Sequence, residues 1–196
     1  MSSIRDKQIV GLGFQIGVGK DTVADMLVSQ HGFVKMRFAD ALKEAVCAIY
    51  GWKREQMEDL DFKMAEDPFW RTTPREVLQR FGTEACRDIM RKDIWVKALQ
   101  RRIQDSDQGK IVVPDVRFLN EIESVRKWGG HAIRITRPGW TPPGAKPNQL
   151  SHSSERELLY YEGWDYNIVN DGTLDILNIR VATIYDQIKA RQLIGA

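Results

Sequence analysis

The stretch Gly11-Leu12-Gly13-Phe14-Gln15-Ile16-Gly17-Val18-Gly19-Lys20-Asp21-Thr22 decides how the rest of the chain is read. An apolar run precedes it and an amphipathic stretch follows it, so it turns a strand into a helix. Ile9, Val10, Leu12 and Phe14 supply a buried strand. Gly17 and Gly19 let the backbone turn its N–H groups onto an anion, and Lys20 opens a helix whose positive end faces the same point. This order predicts a phosphate-binding loop. Two details depart from the usual pattern: five residues, not four, separate Gly13 from Gly19, and Asp21 stands where Ser or Thr is usual. The competing reading is an ordinary glycine-rich turn with a solvated lysine.

Composition narrows the classes. A chain of 196 residues with 42% hydrophobic content can bury one sizeable core, which predicts a single domain over 1–196 with an insertion. Basic and acidic residues nearly balance, 29 against 27, so neither a nucleic acid nor a membrane surface is an expected partner. Partners should be small molecules. Cys47 and Cys86 sit in helical, apolar-rich patterns and are expected to be buried free thiols in a reducing compartment. With no membrane-length apolar run and no signal-peptide core near Met1, the expected location is the cytoplasm.

Outward from the loop, Val23, Met26 and Leu27 mark the inner side of a first helix ending near His31-Gly32. Phe33 to Phe38 alternates as a strand near a sheet edge, and a helix from Asp40 buries Leu42, Ala45, Val46, Ile49 and Tyr50 before Gly51. Residues 52 to 72 lack a period and read as an irregular excursion over the sheet. Thr73-Pro74-Arg75-Glu76 starts a helix with a capping box, its inner face formed by Leu78, Phe81, Ala85 and Ile89. Asp93 caps another, burying Trp95, Ala98 and Leu99. Ile111-Val112-Val113 is a central strand ending at Pro114-Asp115-Val116-Arg117. A helix from Asn120 to Gly129, a strand from His131 to Thr136, a four-proline stretch, a short helix from Ser153 to Leu159, a strand from Tyr166 to Val169 and a final helix complete the order. Alternating strands and helices predict an α/β fold of three layers, a five-stranded, mainly parallel sheet between helices. Ligands in such sheets sit beyond the strands' C-terminal ends, which places Lys20, Asp40, Asp115 and Arg117 around one crevice.

Phosphoryl transfer needs an aligned donor, neutralised charge and exclusion of water. Lys20 would bridge the donor's outer phosphates, and the N–H groups from Gly17 to Thr22, with Val18, Gly19 and Asp21 between, would hold the inner ones. Asp115 is placed like a residue that positions magnesium, and its alternative is a plain cap. Asp21 and Thr22 compete for the metal-side slot. Arg75 and Arg117 lead the candidates for clamping an acceptor phosphate, ahead of Arg80 and Arg87, for which a solvated face is the alternative. Gln79 is a candidate for reading a base edge; Trp95 is a stacking candidate whose spacing favours the core. The segment 137–156 is a candidate lid carrying Arg137, His152 and Glu155, with Arg134, Lys146 and Arg156 around it; a plain surface loop is its alternative.

These blocks together resemble the phage-type deoxynucleoside monophosphate kinases: Gly19-Lys20-Asp21-Thr22, Phe38-Ala39-Asp40-Ala41-Leu42-Lys43, Pro74-Arg75-Glu76, Phe81-Gly82-Thr83-Glu84, Asp93-Ile94-Trp95, Pro114-Asp115-Val116-Arg117-Phe118, Arg137-Pro138-Gly139 and Asn170-Asp171-Gly172-Thr173-Leu174. The resemblance spans nearly the whole chain in order. It implies a P-loop nucleoside-monophosphate-kinase-like fold that transfers the terminal phosphate of ATP, with magnesium, to deoxynucleoside monophosphates for DNA synthesis. It further implies that Asn170, Asp171 and Gly172 lie beside the adenine. Asp40 to Lys43, Arg75, Gln79, Gly82, Thr83, Arg87 and Trp95 would line an acceptor site in a helical insertion at about 52–105, with Asp115 and Arg117 between the nucleotides. A homodimer is a further implication. The alternatives are a small-molecule kinase resembling dephospho-coenzyme A kinase and, from another class, a nucleotide-binding switch, for which the chain lacks an Asn-Lys-x-Asp motif.

Overall fold

The computed structural model describes residues 3–141 and 157–194. They fall into two compact units: the residues up to Met36 together with those from Ile103 onward, and Arg37–Arg102. The second unit thus begins ahead of the segment expected to be inserted.

The first unit is built on a five-stranded sheet in the order β2-β3-β1-β4-β5, comprising β1 (Gln8–Gly13), β2 (Val34–Lys35), β3 (Lys110–Val116), β4 (His131–Thr136) and β5 (Tyr166–Val169). Every neighbouring pair is parallel. β1 and β3 are adjacent and almost continuously buried, as expected of strands covered on both faces. One face meets α1 (Lys20–His31) and the last helix, α7 (Leu174–Ile194), through a core that includes Val10, Leu12, Val23, Leu27, Ile133, Ile168, Leu177, Val181 and Ile188. On the other face α6 (Leu119–Lys127) lies so close to β1 that a Cβ on Gly11 would come within 3.1 Å of Val125. Gly32, at φ 70°, closes α1 with a left-handed turn that costs a glycine little.

Three sequence expectations need correction here. Phe14 lies beyond β1, in the loop. The strand expected from Phe33 to Phe38 is only two residues long, because the Asp40 carboxylate accepts the Arg37 N–H at 2.9 Å and turns the chain into a helix early. The turn at 157–159 replaces the described end of the short helix expected from Ser153, while His152, Glu155, Lys146 and Arg156 lie outside the described residues.

β3 carries Pro114 although it is an inner strand. Gly11 stands opposite Val113 but Gly13 opposite Val116, so β3 holds one residue more than β1 across this step. This bulge is where a residue without an N–H can be accommodated, and it re-aims the neighbouring Asp115, which is partly exposed amid buried positions.

The second unit contains α2 (Ala39–Tyr50), a 3₁₀ turn (Arg54–Glu58), α3 (Leu60–Met64), α4 (Pro74–Gln79) and most of α5 (Ile94–Asp105). Thr73 caps α4 by accepting the Glu76 N–H, with Pro74 in the first turn. From Arg80 to Met90 the helix continues with π winding. The inner positions consequently recur at a spacing of five, Val77, Gly82 and Arg87, and Cys86 joins them, while Ile89 is 81% exposed. The α-period had placed Ile89 inside. Ile49, also expected inside, is exposed near the end of α2, while Lys43, in the first half of that helix, is buried. Residues 52 to 72 are irregular but well tied: Trp52 donates to Asp67 at 2.7 Å, Asp67 accepts the N–H groups of Phe69 and Trp70, and Tyr50 stacks on Trp52. Cys47 and Cys86 are buried free thiols, and burial pushes both above the ordinary cysteine range. Among the described residues no helix is long and apolar enough to cross a membrane.

Candidate active site

In the first unit the glycine-rich loop leaves the C-terminal end of β1 beside the end of β3, since Gly13 pairs with Val116. Asp115, Arg117 and the loop therefore share one edge of the sheet, where helix N-termini and main-chain N–H groups attract anions. Gly17 and Gly19 adopt φ of 76° and 101°. Lys20, the first residue of α1, donates its ammonium to the carbonyls of Phe14, at 3.0 Å, and of Gln15. Asp21 is exposed and Thr22 half-buried in the same first turn.

Phe14 has φ 95°. Counting back with four intervening residues from Gly19 reaches Phe14, not Gly13, so the loop has its usual length and a phenylalanine occupies the first glycine's place. The apparent extra residue is accounted for. The left-handed backbone costs a non-glycine residue about 1–2 kcal/mol; the Arg134 guanidinium, 4.1 Å from the ring centroid, covers the side chain. Phe14→Gly is therefore expected to be more stable than Phe14→Ala by about 1 kcal/mol in urea unfolding, because only alanine keeps the backbone cost after the ring is lost. The reverse order would mean that this φ is not the one held in solution.

One residue that sequence reasoning passed over, Trp140, and one that it included, Asn170, fasten this loop, and a second missed residue, Glu121, holds the segment at Arg117. Trp140 donates its indole N–H to the Ile16 carbonyl at 3.3 Å, and a Cβ on Gly17 would come within 2.7 Å of that nitrogen. The exposed Arg137 guanidinium stacks on the Trp140 ring, 4.6 Å from its centroid. Asn170 donates its side-chain amide to the Val18 carbonyl at 2.9 Å and its main-chain N–H to Thr136 at 2.7 Å, which couples the turn after β5 to the loop. Asp171 pairs with Arg180 at 2.5 Å, and Gly172 sits against Ile176. Glu121 is the second residue missed. It is a carboxylate buried behind Arg117, which accepts the main-chain N–H groups of Arg117 and Phe118. Its signal was visible only as an acidic residue in the first turn of α6.

Within the second unit the residues implied as acceptor contacts lie on four segments. Arg75 and Gln79 are on α4, Gly82, Thr83 and Arg87 on the π segment, Asp40 and Lys43 on α2, and Trp95 on α5. Trp95 is buried and donates its indole N–H to the Gly82 carbonyl at 2.9 Å, and Gly82 also admits Leu42 so closely that a Cβ would collide with it. Asp40 pairs with Arg54 at 2.8 Å, and Lys43 with both oxygens of Glu58. The Arg75 Nε is buried without a hydrogen-bond partner. A buried guanidinium nitrogen without a partner is costly, and its chemistry is that of an anion-binding donor.

Burial would raise the Glu58 carboxyl, but hydrogen bonds from Lys43 and Arg54 outweigh it and hold the group down from the ordinary 4.5 to about 2. A depressed carboxyl stabilises the fold above its unfolded pKa, and this contribution is lost as pH falls from about 4.5 toward 2. Glu58→Gln should therefore flatten the acid side of the unfolding curve read by tryptophan fluorescence, with little change in its slope above pH 6.

Among the described residues no three His, Cys, Asp or Glu side chains cluster as a ready-made metal cage.

A parallel sheet with a left-handed, glycine-rich loop feeding a lysine-headed helix defines the class of P-loop nucleotide-binding proteins. A solved structure of TT1252 from Thermus thermophilus is similar over 92% of this chain and 97% of its own, with TM-score 0.57 at 16% identity. The Mycobacterium tuberculosis APS kinase CysC, solved with AMPPNP and APS, covers 92% and 98% with TM-score 0.50 at 16% identity. The sequence model of deoxynucleotide monophosphate kinase matches residues 65–181, and the chain belongs to that family. An Acanthamoeba polyphaga mimivirus protein named for the same activity is 29% identical over 191 residues, 91% of this chain and 96% of that protein. The deoxynucleotide monophosphate kinase of Escherichia phage RB69 is 30% identical over 113 residues, 56% of this chain and 43% of its own.

Proposed function

We propose that this kinase transfers the γ-phosphate of ATP to a deoxynucleoside 5′-monophosphate, giving the diphosphate. The observation that carries the reading is the loop itself: left-handed Gly17 and Gly19 turning into the N-terminus of α1, with the Lys20 ammonium held at the loop's own carbonyls. Main-chain N–H groups from Gly17 to Thr22 would cradle the ATP phosphates, and Lys20 would exchange its carbonyl partners for the outer ones. Asp21, Thr22 and Asp115 are the residues that would hold magnesium, directly or through water, and the ion would neutralise charge on the phosphates. Asn170, Asp171 and Gly172 would flank the base of ATP. Arg75 supplies the clamp for the acceptor's phosphate, supported by its unbonded buried Nε, with Gln79, Thr83 and Arg87 on the same helical run. Arg117 would meet the charge that develops during transfer. The partners proposed are small nucleotides, and the buried thiols suit a reducing cytoplasm.

The test is ADP release from ATP and magnesium with a panel of deoxy- and ribonucleoside monophosphates and dephospho-coenzyme A. Turnover with one or more deoxynucleotides is expected; turnover with dephospho-coenzyme A alone would overturn the assignment. Arg75→Ala should raise the acceptor KM about ten- to a hundredfold, the worth of a charge-assisted hydrogen bond, and leave the KM for ATP nearly unchanged. An unaltered acceptor KM removes Arg75 from the site.

A further inference from the structure

We propose that Glu121 is a positioning residue for Arg117, setting the direction in which that side chain leaves the backbone. The proposal rests on the reading of Arg117 as a group that meets the transferred phosphate. Glu121 is only 3% exposed, an uncommon place for a carboxylate unless its oxygens are satisfied. One oxygen, Oε2, accepts the Arg117 N–H at 2.7 Å and the Phe118 N–H at 3.1 Å. These two N–H groups belong to the two peptide planes that flank the Arg117 Cα. A single buried acceptor that holds both planes fixes φ and ψ of Arg117 together.

The surrounding sequence makes this carboxylate hard to replace. Phe118 occupies the cap position of α6 but has no side-chain acceptor, and its own N–H is met by the third helical residue, Glu121. Upstream, the Pro114–Asp115 step is the bulge that already bends β3. Downstream, the next N–H, of Leu119, goes to the exposed Glu157 at 2.8 Å. Glu121 and Glu157 thus bond successive N–H groups of one helix start, and of the two it is Glu121 that bonds the planes on either side of Arg117.

Steady-state kinetics and urea unfolding on Glu121→Ala, Glu121→Gln, Glu121→Asp, Glu157→Ala, Arg117→Ala and the double variant Glu121→Ala/Arg117→Ala test this. Glu121→Ala is expected to lower kcat about ten- to a hundredfold with both KM values within about threefold, as for a displaced reacting group. Glu121→Gln, whose amide oxygen can accept the same two N–H groups, should recover most of that loss, and the shorter Glu121→Asp should fall between. The double variant should be no slower than Arg117→Ala, because the two act through one group. Glu157→Ala should shift the unfolding midpoint without a matching loss of kcat. If Arg117→Ala slows turnover but the Glu121 variants do not, or if the two losses multiply, or if Glu157→Ala matches Glu121→Ala, Glu121 has no positioning role. Should Glu121→Ala fail to fold, Glu121→Asp with unchanged kcat refutes it equally. Wild-type turnover in Arg117→Ala instead sinks the underlying reading of Arg117.

Discussion

Lys20→Ala is expected to lower kcat by about two to three orders of magnitude, the usual loss when a preorganised charge aimed at a transition state is removed. The ammonium is bonded to the Phe14 and Gln15 carbonyls and so is held over the loop. Its removal deletes the bonds to these two carbonyls and little packing, which costs stability about 1–3 kcal/mol. The expected pattern is therefore a collapsed turnover, a modest rise in the KM for ATP, and an unfolding curve displaced only slightly. Single-turnover rates separate the two effects, and a variant that turns over within threefold of the parent would remove Lys20 from the chemistry.

Gly19→Ala should have the second-largest effect, for a reason that only the packed structure reveals. Gly19 stands at φ 101°, where a side chain is strained by about 1–2 kcal/mol, and an added Cβ would lie 2.6 Å from the Asn170 side-chain nitrogen. Asn170 would have to release the Val18 carbonyl, uncoupling the turn after β5 from the loop. A rise of about tenfold or more in the KM for ATP is expected, together with a lowered melting temperature, since strain and a lost hydrogen bond together amount to about 2–3 kcal/mol. Asn170→Ala should reproduce the loss of coupling without the strain. Unchanged ATP affinity in both variants would show that the contact contributes nothing to nucleotide binding.

Much of the first unit was legible because its signals are local. The apolar run before the loop, the glycines and Lys20 predict β1, the loop and α1, and the continuous apolar stretch at Ile111 places β3 beside β1. The final helix buries Leu177, Val181, Ile184 and Ile188 as its period requires. Phe14 was misread because alternation alone cannot tell the last residue of a strand from a loop residue. Its φ of 95° reflects the path of the loop. In the second unit the α-period failed where the winding changed. π winding puts Gly82 and Arg87 on the inner line and turns Ile89 out, and Gly82 is held there by Trp95 and Leu42, from segments well away in sequence. Trp95, a stacking candidate by type, is a buried donor to Gly82 by structure.

The sequence by itself determined the α/β class, the strand order's central pair and the phosphate-binding loop, because hydrophobic period and backbone freedom are properties of neighbouring residues. Tertiary structure alone decided what holds those groups in place: Asn170 and Trp140 on the loop, Glu121 behind Arg117, Glu58 beneath Lys43. A hydrogen bond between side chain and distant main chain depends on which segments the fold brings within about 3 Å, and no local pattern encodes that distance.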